Sequence, residues 1–174
     1  SIPKQMVPMM NKPMMQHIIE LLKHHGISEI VATLFYNPDV ITEYFGDGKK
    51  FGVSLDYKHA EADYGTAGSV RNAAEHLNDR FVVISGDVLT DFDLTKAIQF
   101  HEQQQAKVTI LLTRVANPLQ YGVVITDDEA NIVRFLEKPS WGEVFSDTIN
   151  TGIYIIEPEV LNLIPYHRSE EHTS

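Results

Sequence analysis

Apolar positions along the chain alternate between two rhythms. In "NKPMMQHIIELLKHHG" (11–26), Met14, Ile18, Leu21 and Leu22 recur at helical spacing, with Asn11 as N-cap, Pro13 in the first turn and Gly26 as the stop. "EIVATLFY" (29–36) follows as a strand for burial, and "NPDVITEYFG" (37–46) as a short helix opened by Asn37-Pro38 and closed by Gly46. The exchange then repeats: a strand over "VSLDYKHA" (53–60), a helix over "GTAGSVRNAAEHL" (65–77), a strand over "RFVVISG" (80–86), a helix over "DLTKAIQFHEQQQ" (93–105) and a strand over "KVTILLTRV" (107–115). Strand and helix taking turns in this way predict a mostly parallel sheet with helices on both faces.

After Asn117-Pro118 the rhythm changes. "YGVVITDDEANIVRFLEKP" (121–139) reads as two strands around the polar turn Asp127 to Asn131, "TINTGIYII" (148–156) as a further strand, and "EPEVLNLI" (157–164) as the start of a helix with Pro158 in its first turn. The sheet is therefore expected to be mixed. No strand is expected before the first helix, because the opening residues are polar and Pro-rich. The chain reads as one partial domain over 1–167. Arg168 to Ser174 lacks any apolar residue and is expected to be a non-native tail of the kind an in-frame adapter oligonucleotide encodes, a charged disordered end being the alternative.

Composition narrows the function classes. At 174 residues and 43% hydrophobic content, the chain can bury a sizeable core. A net charge of −10 and no Lys/Arg block argue against nucleic acid or an anionic membrane surface as partner. Without cysteine there is no disulfide framework and no thiolate metal site. No apolar run is long enough to span a bilayer and the first residues lack a signal-peptide layout, so a cytoplasmic location is expected.

The candidate chemistry centres on "FVVISGDVLTDFDL" (81–94), an apolar run that ends in Gly86-Asp87. In open α/β sheets ligands bind beyond the carboxyl ends of strands. Asp87 at such an end suits Mg²⁺, and Gly86 allows close approach; a turn residue that binds nothing is the alternative. Asp91 and Asp93 read as a turn residue and a helix N-cap. "YGTAGSVRNA" (64–73) places glycines around a helix start, where N–H groups can meet a base edge or phosphate oxygens. In "FLEKP" (135–139), Glu137 can accept from sugar hydroxyls and Lys138 can meet a phosphate, although an exposed Glu–Lys pair is also ordinary surface. The same holds for Lys4. The eight histidines show no ligand-like spacing, and His24 and His25 suit a helix C-terminus.

Taken in order, "PKQMVPMMNKPMMQHIIELLKHHGISEIV", "EYFGDG", "GTAGSV", "VISGD", "YGVV", "EKP" and "NTGIY" resemble the sugar-1-phosphate nucleotidyltransferases, the nucleotide-sugar pyrophosphorylase family, up to about Pro165. The resemblance is closest to mannose-1-phosphate guanylyltransferases. It implies a Rossmann-like three-layer α/β/α sandwich, here truncated, with a mixed, mostly parallel sheet. The implied reaction is attack by a hexose 1-phosphate on the α-phosphorus of an NTP, GTP in this branch, releasing pyrophosphate. It implies Mg²⁺ on Asp87, Lys4 on triphosphate oxygens as a catalytic group, and Gln5, Gly65 and Thr66 on the nucleotide. Tyr121, Gly122, Glu137, Lys138, Asn150, Thr151 and Gly152 would form the sugar-phosphate site.

The sequence departs from the family pattern in several places. The opening strand, its "GGxGTRL" turn and a second metal aspartate are absent, so the 174 residues alone are expected to be inactive. Gln5 stands where the guanylyl branch has proline and is more familiar in thymidylyltransferases, whereas "GTAGSV" fits the guanylyl side. Glucose-1-phosphate thymidylyl-, uridylyl- or adenylyltransferase activity, or a non-catalytic regulatory subunit of this fold, are the alternatives. Homo-oligomer formation stays open.

Overall fold

The computed structural model describes residues 2–137 and 148–165. Lys138, with the rest of 138–147, and the tail at 168–174, with residues 166 and 167, therefore lie outside the described residues. The strands are β1 (Pro8–Met9), β2 (Lys12–Pro13), β3 (Glu29–Leu34), β4 (Ser54–His59), β5 (Phe81–Ile84), β6 (Val108–Arg114), β7 (Gly122–Thr126), β8 (Ile132–Glu137) and β9 (Thr148–Ile156). The helices are α1 (Met14–His24), α2 (Pro38–Phe45), α3 (Gly65–Asn72) and α4 (Leu94–Gln103).

β9 organises the larger sheet. β6 pairs along its whole length, from Val108↔Ile156 to Arg114↔Thr148. On the opposite edge, β5 takes the far end (Phe81↔Ile156 to Ile84↔Ile153) and β7 meets it at Val123↔Ile149. All three run antiparallel to β9, so β5, β6 and β7 share one direction, while β8 turns back along β7. β3 and β4 form a separate parallel pair. The fold is α/β with mixed pairing, and most of its like-directed strands are linked through the one that opposes them.

Helix α1 joins the two halves. Its Met15 and Ile19 pack with Leu34, Ile41, Phe45, Val53 and Leu55 over the β3–β4 pair. Its Ile18 and Leu22 pack with Leu94, Leu111, Ile153 and Ile155 over the larger sheet. A helix whose apolar stripe is wide enough to touch both clusters links the two cores, one over each sheet.

Several expectations need correcting. Asn11 is not the N-cap of α1: Met10 and Asn11 adopt φ of 47° and 66° as the central residues of a tight hairpin between β1 and β2, and Pro13 precedes the helix. A left-handed pair suits a two-residue hairpin turn, which is why Asn sits there. A short hairpin thus does precede the first helix. The helix expected over 65–77 stops at Asn72 and continues as a 3₁₀ turn at Ala74–His76, and the segment Pro158–Leu163 is 3₁₀ rather than α. β5 is half-buried along its length, and among the described residues only one of its edges has a hydrogen-bonded neighbour. Asp93 caps α4 as expected, accepting from Lys96 N–H at 3.1 Å.

Candidate active site

β5 and β7 occupy the same edge of β9 end to end, and they do not meet. Pairing with β5 ends near Ser85, whose N–H donates to the Gly152 carbonyl at 3.3 Å, and pairing with β7 resumes at Ile149. Between them lie Asn150, Thr151 and Gly152. The carboxyl end of β5 and the amino end of β7 thus face each other across a gap, the place where an open sheet accepts a ligand.

The gap gathers most of the residues singled out in the sequence. Asp87 lies exposed on the turn that leaves β5, a turn closed by Val88 N–H to the Ser85 carbonyl at 3.2 Å. The 3₁₀ turn Lys4–Met6 sits against it. A Cβ on Gly86 would lie 2.7 Å from Gln5 Cγ, so only glycine lets the Gln5 side chain cover this point. Met6 anchors the turn in the core, which leaves Lys4 exposed beside it. Across the gap, Gly122 stands opposite Glu137 on β8. A Cβ on Gly122 would come within 3.3 Å of Glu137 Oε2, so the carboxylate reaches over the start of β7. Tyr121, 45% exposed, immediately precedes it. Since Val123 pairs with Ile149, Gly122 falls beside Asn150 and shares its face of the sheet.

Gly65 and Thr66 are exposed at the start of α3, after β4, and no described bond ties them to the gap. The Gly65 N–H is already taken by Asp63 Oδ1 at 3.0 Å, which leaves the later N–H groups of the turn for a base or phosphate. No atom lies within 4 Å of where a Gly65 side chain would begin, so that flank is open to a ligand. Lys138 lies outside the described residues.

The sequence reading passed over Ser85, Tyr154 and Asp63. Ser85 Oγ would sit 3.0 Å from a Cβ on Gly152, Tyr154 is hydrogen-bonded to Asn150 at 2.6 Å, and Asp63 holds the Gly65 turn. The available signal for the first two was the polar Asn-Thr-Gly break inside an apolar run, which marks a bulge rather than a regular strand. Among the described residues no group of three or more His, Cys, Asp or Glu is placed to cage a metal ion, and no helix is long and apolar enough to cross a membrane.

The family model described as nucleotidyl transferase matches residues 1–174. A UTP–glucose-1-phosphate uridylyltransferase of Synechocystis is 41% identical over 95% of this chain and 46% of its own length. A mannose-1-phosphate guanylyltransferase of Mycobacterium tuberculosis is 37% identical over 97% of this chain and 46% of its own. The chain therefore spans about half the length of these relatives. Among solved structures, HddC from Yersinia pseudotuberculosis complexed with GMP-PN superimposes with a TM-score of 0.81 at 25% identity, covering 95% of this chain and 72% of that one.

Proposed function

Because this chain belongs to the nucleotidyl transferase family, we propose that the protein carrying it transfers a nucleotidyl group from GTP to mannose 1-phosphate, giving GDP-mannose and pyrophosphate. The observation that carries the reading is the gap between β5 and β7, where the Asp87 turn, the Lys4–Met6 turn, Gly122 and Glu137 converge. In this reaction a phosphate oxygen of the sugar attacks the α-phosphorus while the bond to the β-phosphate breaks, and pyrophosphate leaves with that electron pair. The chemistry needs in-line placement and relief of crowded negative charge more than covalent help.

Each side chain has a part in that scheme. Lys4, exposed beside the Asp87 turn, offers a cation to the triphosphate. Gln5 and the Gly65–Thr66 turn lie on the nucleotide side. Glu137 accepts from sugar hydroxyls, Gly122 leaves room for the ring, and Lys138 meets the sugar phosphate. Asp87 fits Mg²⁺: it is an exposed hard oxygen donor at a strand end, and this ion is commonly held by one or two carboxylates together with substrate phosphates and water. When bound, the ion offsets phosphate charge as it develops.

Pyrophosphate release decides the reaction, assayed in the whole protein with GTP, UTP, dTTP and ATP against mannose 1-phosphate and glucose 1-phosphate. GTP with mannose 1-phosphate is expected to give the highest kcat/KM. The 41% identity to a uridylyltransferase supports a second reading, and preference for UTP with glucose 1-phosphate would establish it instead. Silence with every pair would end the proposal.

Glu137→Gln tests the sugar side. One charge-assisted hydrogen bond is worth about 1.5–3 kcal/mol, so the KM for hexose 1-phosphate is expected to rise roughly tenfold or more with that for the nucleotide little changed. Discrimination between mannose and glucose should narrow as well. Equal changes in both KM values would assign Glu137 to the hairpin rather than to the substrate.

A further inference from the structure

The middle of β9 breaks the rules of a strand interior. Ile149 and Ile153 are buried, yet between them stand Asn150 and Gly152, two residue types that strand interiors disfavour, on either side of Thr151. Gly152 has φ of 76°, and its N–H bonds no neighbouring strand but Asn150 Oδ1, at 2.8 Å. Because a backbone N–H can only donate, the amide oxygen of Asn150 is held on that side, and its NH₂ donates to the Tyr154 hydroxyl at 2.6 Å. The Thr151 hydroxyl donates to the Leu111 carbonyl at 2.6 Å, where the β6 ladder slips between Ile110 and Leu112.

These bonds have one geometric consequence. Between Ile110↔Tyr154 and Leu112↔Asn150, two steps along β6 match four along β9, so the bulge draws the stretch of β9 paired with β5 closer to the stretch paired with β7 than a straight strand would hold it. The kink comes at the cost of backbone groups with no ladder partner, and buried groups of this kind need other partners. Asn150 supplies one to Gly152, and Thr151 supplies one to Leu111, so both side chains are committed inside the sheet.

We propose that Asn150 and Thr151 are positioning residues: they lock a kink in β9 that sets the width of the gap at its sugar-phosphate end, acting through Gly152, Ser85 and the slip in β6 and not by touching substrate. This rests on reading the gap as the hexose 1-phosphate site. It gives the Asn-Thr-Gly run a role distinct from that of a direct contact, because a residue whose polar atoms are spent on the fold has little left to offer a ligand.

The test uses two pairs of variants in the whole protein. Thr151→Val keeps the shape and removes the donor, while Thr151→Ser keeps the donor. Loss of one such bond corresponds to a change on the order of tenfold, so Thr151→Val is expected to raise the KM for hexose 1-phosphate by about that factor and to leave the nucleotide KM within about twofold. Thr151→Ser should restore most of the difference. Asn150→Ala is expected to speed amide hydrogen exchange at Gly152 by roughly tenfold or more in the substrate-free protein, whereas Asn150→Asp, which keeps an acceptor, should leave it near the wild-type rate. Should Asn150→Ala fail to fold, the Thr151 pair decides.

Unchanged kinetics in Thr151→Val, a parallel rise in both KM values, or no rescue by Thr151→Ser would overturn the proposal. So would a Gly152 amide that exchanges as an unprotected one in the wild type. If the wild type turned over no sugar phosphate at all, the functional reading would be the part that failed, and hydrogen exchange alone would still decide whether the side chains lock the kink.

Discussion

Asp87→Asn in the whole protein is expected to leave the fold intact and to lower kcat by about 10²- to 10³-fold, the scale seen when a charge-stabilising group is removed from a reacting centre. The two halves of that expectation have separate physical grounds. Asp87 is exposed on a turn, and substitutions at such positions usually change stability by no more than about 0.5 kcal/mol. Asparagine keeps the shape of the side chain and removes its charge, so a hard cation loses its anionic ligand while the backbone of the turn keeps its course. Turnover at saturating GTP, mannose 1-phosphate and Mg²⁺, together with the melting temperature, separates the two. A variant with near-normal kcat would overturn the proposed metal role of Asp87 and leave it a turn residue.

The second large effect belongs to stability, at the far end of β9 from the gap. His101 on α4 is only 1% exposed, with Nδ1 2.7 Å from Thr109 Oγ1 and Nε2 2.9 Å from Glu157 Oε1. The same glutamate oxygen accepts from Arg80 Nε at 2.5 Å, and Arg80 Nη1 reaches Glu102 at 2.6 Å. One imidazole thus ties α4, β6 and the end of β9 into a single network. His101→Leu fills the space but takes the imidazole partner from the Thr109 hydroxyl and leaves the Glu157 carboxylate to Arg80 alone. With about 1–3 kcal/mol for the orphaned Thr109 hydroxyl and a lost bond to the charged Glu157 beside it, the expected loss is roughly 2–4 kcal/mol, or about 5–15 °C in Tm. Activity per folded molecule should change little. A Tm within about 2 °C of the wild type would mean that the network carries no stability.

Acid should weaken the same network. The Arg80 guanidinium first, then His101, hold the Glu157 carboxyl below the ordinary glutamate range. A group whose folded pKa is depressed contributes stability that is fully present above its unfolded value and fades as pH falls through the folded one. The contribution of Glu157 is therefore intact at neutral pH and lost below the ordinary glutamate range. His101→Leu should make the acid limb of a Tm against pH curve shallower, since one of the two groups depressing Glu157 is gone.

The reach of the sequence is clearest at individual elements. The apolar spacing of Met15, Ile18, Ile19 and Leu22 lies within the stretch read as a helix, and that helix carries core contacts to both sheets. Pro38 and Gly46 bound α2 where turn chemistry put them, and Asp93 caps α4. The two strands around Asp127 to Asn131 form the expected hairpin, pinned by Asp127 Oδ1 accepting from Asn131 N–H at 2.8 Å. All of these depend on forces acting within a few residues, which a linear pattern records directly. Asn11 went astray for the same reason: its side chain suits an N-cap and a left-handed hairpin turn alike, and the pairing of β1 with β2, a contact beyond the local window, chose between them.

The sequence by itself determined the alternation of strands and helices, the strand ends that carry Asp87 and Glu137, and a motif order resembling that of the sugar-1-phosphate nucleotidyltransferases. Only the tertiary structure decided that β5 and β7 share an edge of β9 without meeting, that Gln5 covers Gly86, and that Asn150 and Thr151 spend their polar atoms on the sheet. The physical reason is the range of the interactions. Periodicity and capping follow from neighbours three or four residues apart, whereas the gap exists because Ser85, Gly122 and Gly152, distant in sequence, are held at one place by ladders whose register no single segment encodes.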